Sequence, residues 1–293
     1  MTAARVGARG GGALGILAGG GELPLRVARA ARDAGRPVFA VVMRDWGEPA
    51  RWADLPHAVE RPGAAGRILK HLRGAGVRQI VLTGHARRPT VSALRPDAFG
   101  VRVIARIGSA FLLGDDGLLR AVARVLEEEG FEVVSPQSVL AGLLPPSGLL
   151  GRAAPPDEAA RADIRRGIAV CRALGAVDVG QAVVVQQGLV LGVEAIEGTD
   201  ALLARCRALR REGEGGVLVK LAKPGQDRRL DLPAVGPETV RNAAAAGLAG
   251  IAFGAGATVL LDRERTLAEA DAAGLFLLAL APDETDTTEE DAR

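Results

Sequence analysis

Near the amino end, an apolar strand, a glycine turn, a helix and a second strand follow one another. Leu14–Ala18 (LGILA) is a short buried run, and Gly19-Gly20-Gly21-Glu22-Leu23-Pro24 follows it at once. The pattern then predicts a helix from Leu23 to Ala34, stopped at Gly35, and a strand over Pro37–Met43. A strand–helix–strand crossover of this kind requires parallel strands and a right-handed connection, so this half of the chain is committed to an α/β sheet. The turn has the form GxGxxP, not the dinucleotide fingerprint GxGxxG, so the motif is weak. Two readings of it stand side by side: a tight turn needing positive φ, and an anion cradle at a helix N-terminus.

The same alternation continues. A helix is predicted over Arg61–Gly76 and a strand over Gln79–Thr83, which ends in Gly84-His85-Ala86-Arg87-Arg88-Pro89, a loop rich in phosphate donors. Asp115 and Asp116 precede a helix over Leu118–Glu129, where carboxylates suit the positive helix end as well as they would suit a ligand. Phe131–Val134 adds a strand. After a Gly-rich lead (1–13), expected to be disordered, residues 14–135 therefore read as a Rossmann-like domain with a parallel sheet.

Prolines then crowd into Leu144–Asp157, so residues 136–157 read as a linker. Residues 158–281 read as a second α/β domain, a mixed sheet with flanking helices. A helix is predicted over Asp157–Leu174, and Gln181–Val185 and Leu189–Glu194 form a hairpin across Gln186-Gln187-Gly188. Thr199 or Asp200 is placed to cap a helix that runs to Arg211. The β-branched run from Val217 breaks at Lys223-Pro224-Gly225 into a polar loop of Gln226, Asp227, Arg228, Arg229 and Asp231, closed by Leu232-Pro233. A helix (Pro237–Ala246), strands (Ala249–Phe253, Thr258–Asp262), a helix (Leu267–Ala273) and a last strand (Leu275–Ala279) complete the domain. The acidic tail, 282–293, is expected to be disordered.

Composition narrows the class. The 293 residues are 48% hydrophobic and 25% charged, an ordinary soluble profile. Aromatics make up only 3%, with no Tyr, so the core falls to Ala, Leu and Val. A net charge of +2 speaks against a nucleic-acid partner. Arg87-Arg88 and Arg228-Arg229 are local basic pairs that suit a small anionic ligand. Cys171 and Cys206 lack a CxxC partner and fall in helical patterns, which predicts free buried thiols. With no apolar stretch of membrane-span length and no signal-peptide pattern, the expected location is the cytoplasm.

Glu194, Glu197, Asp200, Asp227 and Asp231 all fall in loops or strand ends of the second domain, beside Lys220, Lys223 and Arg229. Oxygen donors without His or Cys suit a hard cation such as Mg²⁺, which takes one or two carboxylates plus substrate phosphates. Nearby cations suit the phosphates themselves. Each carboxylate taken singly reads equally well as a surface residue.

Four stretches together carry a resemblance: LGILAGGGELP (14–24), GQAVVVQ (180–186), VEAIEGTD (193–200) and the KPxQDxRxDLPxxG pattern (223–236). In this order they resemble the LpxI family, the UDP-2,3-diacylglucosamine pyrophosphatases of lipid A synthesis, from Leu14 to about Leu280. The resemblance implies Mg²⁺-dependent cleavage of the pyrophosphate to UMP and 2,3-diacylglucosamine 1-phosphate (lipid X), with substrate held between two α/β domains. It places the essential acid of the DLP motif on Asp231 and a less fixed acid on Asp227. Glu194, Glu197, Gly198, Thr199 and Asp200 match the second acidic motif, Gly20 and Gly21 the glycine turn, and Arg88 the Arg-Pro pair. The expected metal ligands are thus Asp231, Asp200, Glu197 and Asp227. The expected substrate contacts are Gly20, Gly21, Gly84, Arg88, Gln181, Glu194, Thr199, Lys220, Lys223 and Gln226. A lipid substrate further implies transient contact with the cytoplasmic face of the inner membrane, and a homodimer is expected.

Rival chemistries find less support. A calcineurin-like metallophosphoesterase needs an early DxH and several ligand histidines, whereas only His57, His71 and His85 occur. Neither a Walker motif nor GxSxG is present. A nicotinamide-dependent dehydrogenase, with Asp45 as the ribose acid, leaves the acids around Asp231 without a role. A non-catalytic nucleotide-sugar or lipid-binding module is the alternative from another class.

Overall fold

The computed structural model describes residues 12–86, 90, 94–108, 115–140 and 142–285. They divide into two compact units, Met1–Ala141 with Arg229–Asp231, and Gly142–Arg228 with Leu232–Arg293.

In the N-terminal unit, β1 (Ala13–Ala18), β2 (Val38–Met43), β3 (His57–Glu60), β4 (Val77–Thr83) and β5 (Glu132–Val133) form a sheet in the order β3-β2-β1-β4-β5. Every pairing is parallel. The period of two along each strand feeds two cores. Val38, Ala40 and Val42 of β2 join Leu25, Ala28 and Ala31 of the helix Leu23–Asp33 on one face, while Val41 and Met43 join Ile68, Leu72 and Leu126 on the other. The latter three come from the helices Ala65–Gly74 and Asp115–Glu128. Between these two lies a further helix, Ala98–Ile107, whose first turn is capped by Asp97. The strand order reverses at β1, which makes the carboxyl ends of β1 and β4 the topological switch point, where α/β sheets bind ligands.

The C-terminal unit has a six-stranded sheet in the order β6 (Gly148–Leu150), β13 (Phe276–Leu280), β11 (Gly250–Gly254), β9 (Val217–Lys220), β7 (Ala182–Gln186) and β8 (Leu189–Val193). Separately, β10 (Ala234–Val235) pairs with β12 (Val259–Leu260). The three central strands β9, β11 and β13 run parallel, while β6, β7 and β8 are antiparallel to their neighbours, so the sheet is mixed as expected. Val217 and Val219 of β9 face the helix Glu158–Ala176 through Ile164, Ile168 and Cys171. Leu218, between them, faces the opposite core, which holds Leu202, Leu203, Val240, Ala243 and Ala270 of three other helices.

Several expectations are corrected. The proline-rich stretch read as linker contains β6, an edge strand paired to β13 from Gly148 to Leu150. Flanking prolines are tolerated there because an edge strand needs hydrogen bonds on one side only. The helix at 198 starts at Gly198, so neither Thr199 nor Asp200 is its cap. Glu197 occupies that position without a side-chain cap bond. That helix ends at Cys206 and a 3₁₀ turn over Arg207–Leu209 follows, short of Arg211. The hairpin is as predicted: Gln187 and Gly188 both take positive φ (55° and 75°), the geometry that joins twisted strands in two residues. Buried Asp163 accepts from both of their amides, at 2.9 and 2.6 Å.

Candidate functional site

Two loops meet at the N-terminal switch point. Gly20 and His85 form an antiparallel bridge, each amide donating to the other's carbonyl at 2.8 Å, and the Gly19 amide donates to Thr83 O at 2.9 Å. The approach leaves no room for side chains. A Cβ on Gly20 would lie 2.6 Å from Trp46 O, and one on Gly84 (φ +97°) 2.7 Å from Gly20 O. Gly21, at φ +89°, makes the turn into the helix. The close packing of two loops therefore accounts for Gly20 and Gly84 before any ligand is invoked, and the amides of Gly19 and Gly20 are already committed. Arg88, the basic residue expected here, lies outside the described residues.

In the C-terminal unit the expected residues are joined into a chain of hydrogen bonds. Lys220 ends β9, the strand between β7 and β11, and is buried at 7% exposure. Its Nζ donates to Thr199 Oγ1 (2.8 Å) and to Ala234 O (3.0 Å). Thr199 Oγ1 in turn donates to Glu194 Oε1 at 2.6 Å. Glu194, also buried, accepts from the Gln181 amide through Oε2 at 3.1 Å. An ammonium and a carboxylate are thus taken out of water and linked through one hydroxyl, which satisfies groups that would be costly to bury alone. Gln181 Oε1, beside them, is buried with no hydrogen-bond partner among the described residues.

The Cys171 thiol donates to the carbonyls of Val219 (3.5 Å) and Gln181 (3.8 Å). Burial, followed by the charge of Glu194, pushes its pKa up to about 12, so it stays a thiol and is no nucleophile. Both cysteines are free and buried, as expected.

Lys223 is held by Asp178, a residue with positive φ (56°) that the sequence reading passed over. The signal for it was Asp178-Val179-Gly180, since Asp is one of the few non-glycine residues that tolerates this backbone region. Buried Gln226 folds its Oε1 back onto the Lys223 amide at 2.9 Å, which shapes the loop after β9.

Of the four expected metal ligands, Glu197 is engaged by Arg205 (2.9 Å), and its own amide and then Arg205 hold its carboxyl below the usual range. Asp200 accepts from Asn242 Nδ2 at 2.8 Å. Asp231 belongs with Arg229 and Leu230 to the N-terminal unit, although the chain before and after it belongs to the other. Leu230 is buried among Ile80, Leu126, Phe131 and Val133 of that unit.

Against known families, the model of the LpxI N-terminal domain matches residues 13–143 and that of the LpxI C-terminal domain matches residues 146–278. The chain belongs to the LpxI family. A curated LpxI from Caulobacter vibrioides, named a UDP-2,3-diacylglucosamine pyrophosphatase, is 42% identical over 277 residues, covering 92% of this chain and 98% of the relative.

For an LpxI chain the question of a metal turns on its donors. Among the described residues, no three His, Cys, Asp or Glu side chains gather as a ligand group. Glu197 and Asp200 accept from Arg205 and Asn242, and Asp227 and Asp231 are likewise in polar contact with other groups. Asp227 and Asp231 lie in one loop and are oxygen donors. That suits a hard cation whose shell is completed by phosphate and water.

Proposed function

We propose that this LpxI chain hydrolyses the pyrophosphate bond of UDP-2,3-diacylglucosamine, releasing UMP and 2,3-diacylglucosamine 1-phosphate for lipid A synthesis. The observation that carries the proposal is the end-to-end match, both family domains and 42% identity across nearly the whole of the Caulobacter relative. The DLP sequence at 231–233, which matches the motif of the family resemblance, supports the assignment of Asp231 as the essential acid. In this reading a water attacks the sugar-side phosphorus and UMP leaves with the bridging oxygen. Asp231 orients the water and receives its proton, while Lys220 and Lys223 draw the negative phosphates to the loop.

Mg²⁺ completes the proposal. Held by Asp231, with Asp227 in support, it would neutralise charge on the pyrophosphate oxygens. The substrate cleft implied by the resemblance, transient contact with the inner membrane and a homodimer are parts of the same proposal. No helix among the described residues is long and apolar enough to cross a membrane.

The test measures UMP release by purified protein with and without Mg²⁺. Asp231→Ala is expected to lower kcat by about 10³-fold or more, as loss of a catalytic group does. UMP release at the unmutated rate from Asp231→Ala would sink the site assignment. Tight substrate binding without any UMP release from the unmutated chain would favour an inert binding module.

A further inference from the structure

In sequence, Leu230 is an apolar residue in a charged loop, with Arg228-Arg229 before it and Asp231 after it. In the structure it is 6% exposed. It belongs to an apolar cluster with Ile80 and Leu82 of β4, Ala123 and Leu126 of the helix Asp115–Glu128, and Phe131 and Val133 at β5, all of the N-terminal unit. The residue before it is tied to the same unit: Arg229 Nη1 donates to Glu127 Oε1 at 2.8 Å and approaches Val133 O at 3.5 Å. The loop after β9 thus gives up three consecutive residues, Arg229–Asp231, to the other unit's packing.

We propose that Leu230 is the positioning residue for Asp231, an apolar plug that fixes the carboxylate's backbone against the N-terminal core. The inference rests on the reading of Asp231 as the essential acid. A polar loop bearing a Pro-Gly turn at Pro224-Gly225 has many open conformations. A side chain seated in a close-packed core has essentially one. Leu230 is directly bonded to Asp231, so fixing the first leaves the second only the torsions between the two residues and those of its own side chain. The Arg229–Glu127 pair adds little, because both side chains are about half exposed (47% and 40%) and water screens them. The plug therefore outweighs the ion pair.

The experiment measures kcat and KM for UMP release by the full chain, with substrate binding followed calorimetrically after metal removal. Leu230→Ala is expected to lower kcat by about 10- to 100-fold, the usual cost of misplacing a catalytic group by an ångström or so. KM and binding should stay within about threefold, and Leu230→Met, which refills the site, should recover most of the loss. Glu127→Gln should cost less than about fivefold. If Leu230→Ala does not fold, Leu230→Val and Leu230→Met decide the matter, and kcat should fall in step with the volume removed. An unchanged kcat across folded Leu230 variants, with Asp231→Ala inactive, overturns the positioning role alone. An active Asp231→Ala overturns the reading beneath it.

Discussion

Thr199 shows what a single residue decides. Its hydroxyl accepts from Lys220 and donates to Glu194, so the orientation of its one proton is set by a cation on one side and a carboxylate on the other. Thr199→Val keeps the shape and removes both bonds. Lys220 and Glu194 would each lose a partner in a buried site, at a cost of about 1–3 kcal/mol each way of counting. The expected result is a lower melting temperature together with a fall in kcat, both largely restored by Thr199→Ser. If Thr199→Val matched the unmutated protein in both measurements, the hydroxyl would have no role. The sequence placed Thr199, Glu194 and Lys220 together as substrate contacts, and the structure does bring them together, but bonded to one another. Residues 5 and 21 positions apart choose such partners through tertiary packing, which no local pattern encodes. For the same reason Glu197 and Asp200 looked alike in sequence and turned to different partners, Arg205 and Asn242.

At the scale of elements, legibility followed the strength of the hydrophobic period. The β1–helix–β2 crossover, the hairpin of β7 and β8, and the strands β9, β11 and β13 were all readable because apolar runs with glycine stops announce them. The strand β3, the helix Ala98–Ile107 and the edge strand β6 went unread. β3 is only His-Ala-Val-Glu, and β6 sits among prolines, so neighbours hold them where intrinsic pattern does not. The start of Ala98–Ile107 depends on Asp97. Its Oδ1 accepts from Gly100 (2.7 Å) and Gly66 (3.2 Å) and its Oδ2 from Arg67 (3.1 Å), so one carboxylate caps one helix and ties it to the first turn of another. Burial pushes the Asp97 carboxyl up, but the three amides and the charge of Arg67 outweigh it, and its pKa is lowered. The sign follows: a depressed folded-state value contributes stability above the unfolded value of about 3.9, and that stability is lost as pH falls through the folded value. Asp97→Asn keeps one oxygen to cap the helix but loses the charge and the acceptor for the Arg67 amide, and should cost about 0.5–1.5 kcal/mol at neutral pH. Its melting temperature should also fall less steeply below about pH 4 than that of the unmutated chain. Parallel melting curves across pH 2–7 would remove Asp97 from the acid response.

For the whole molecule, chain order and packing order differ at one place. Each unit has its own apolar clusters, yet Leu230 is part of the N-terminal one, while Arg228 and Leu232, two positions to either side of it, belong to the C-terminal unit. A lone leucine among charges was the available signal, since exposing it would forfeit about 1.5–3 kcal/mol of burial. Which core would take it was not written in the loop, because the rest of its apolar cluster, with Ile80, Leu126 and Val133, lies about a hundred residues or more earlier in the chain. The assignment has a consequence that hydrogen exchange reads directly. Truncating a buried leucine costs about 2–5 kcal/mol, so the slowest amides of the unit that contains it should exchange at least about 30-fold faster. In the Leu230→Ala chain that acceleration should fall on β4, β5 and the helix Asp115–Glu128, which share the apolar cluster of the lost side chain. The amides of β7, β9 and β11, whose core is built from other residues, should keep their protection although β9 is the nearer in sequence. Acceleration confined to β7, β9 and β11 would mean that Leu230 stabilises the unit that encodes it, and no acceleration in β4 would mean that the plug carries no load.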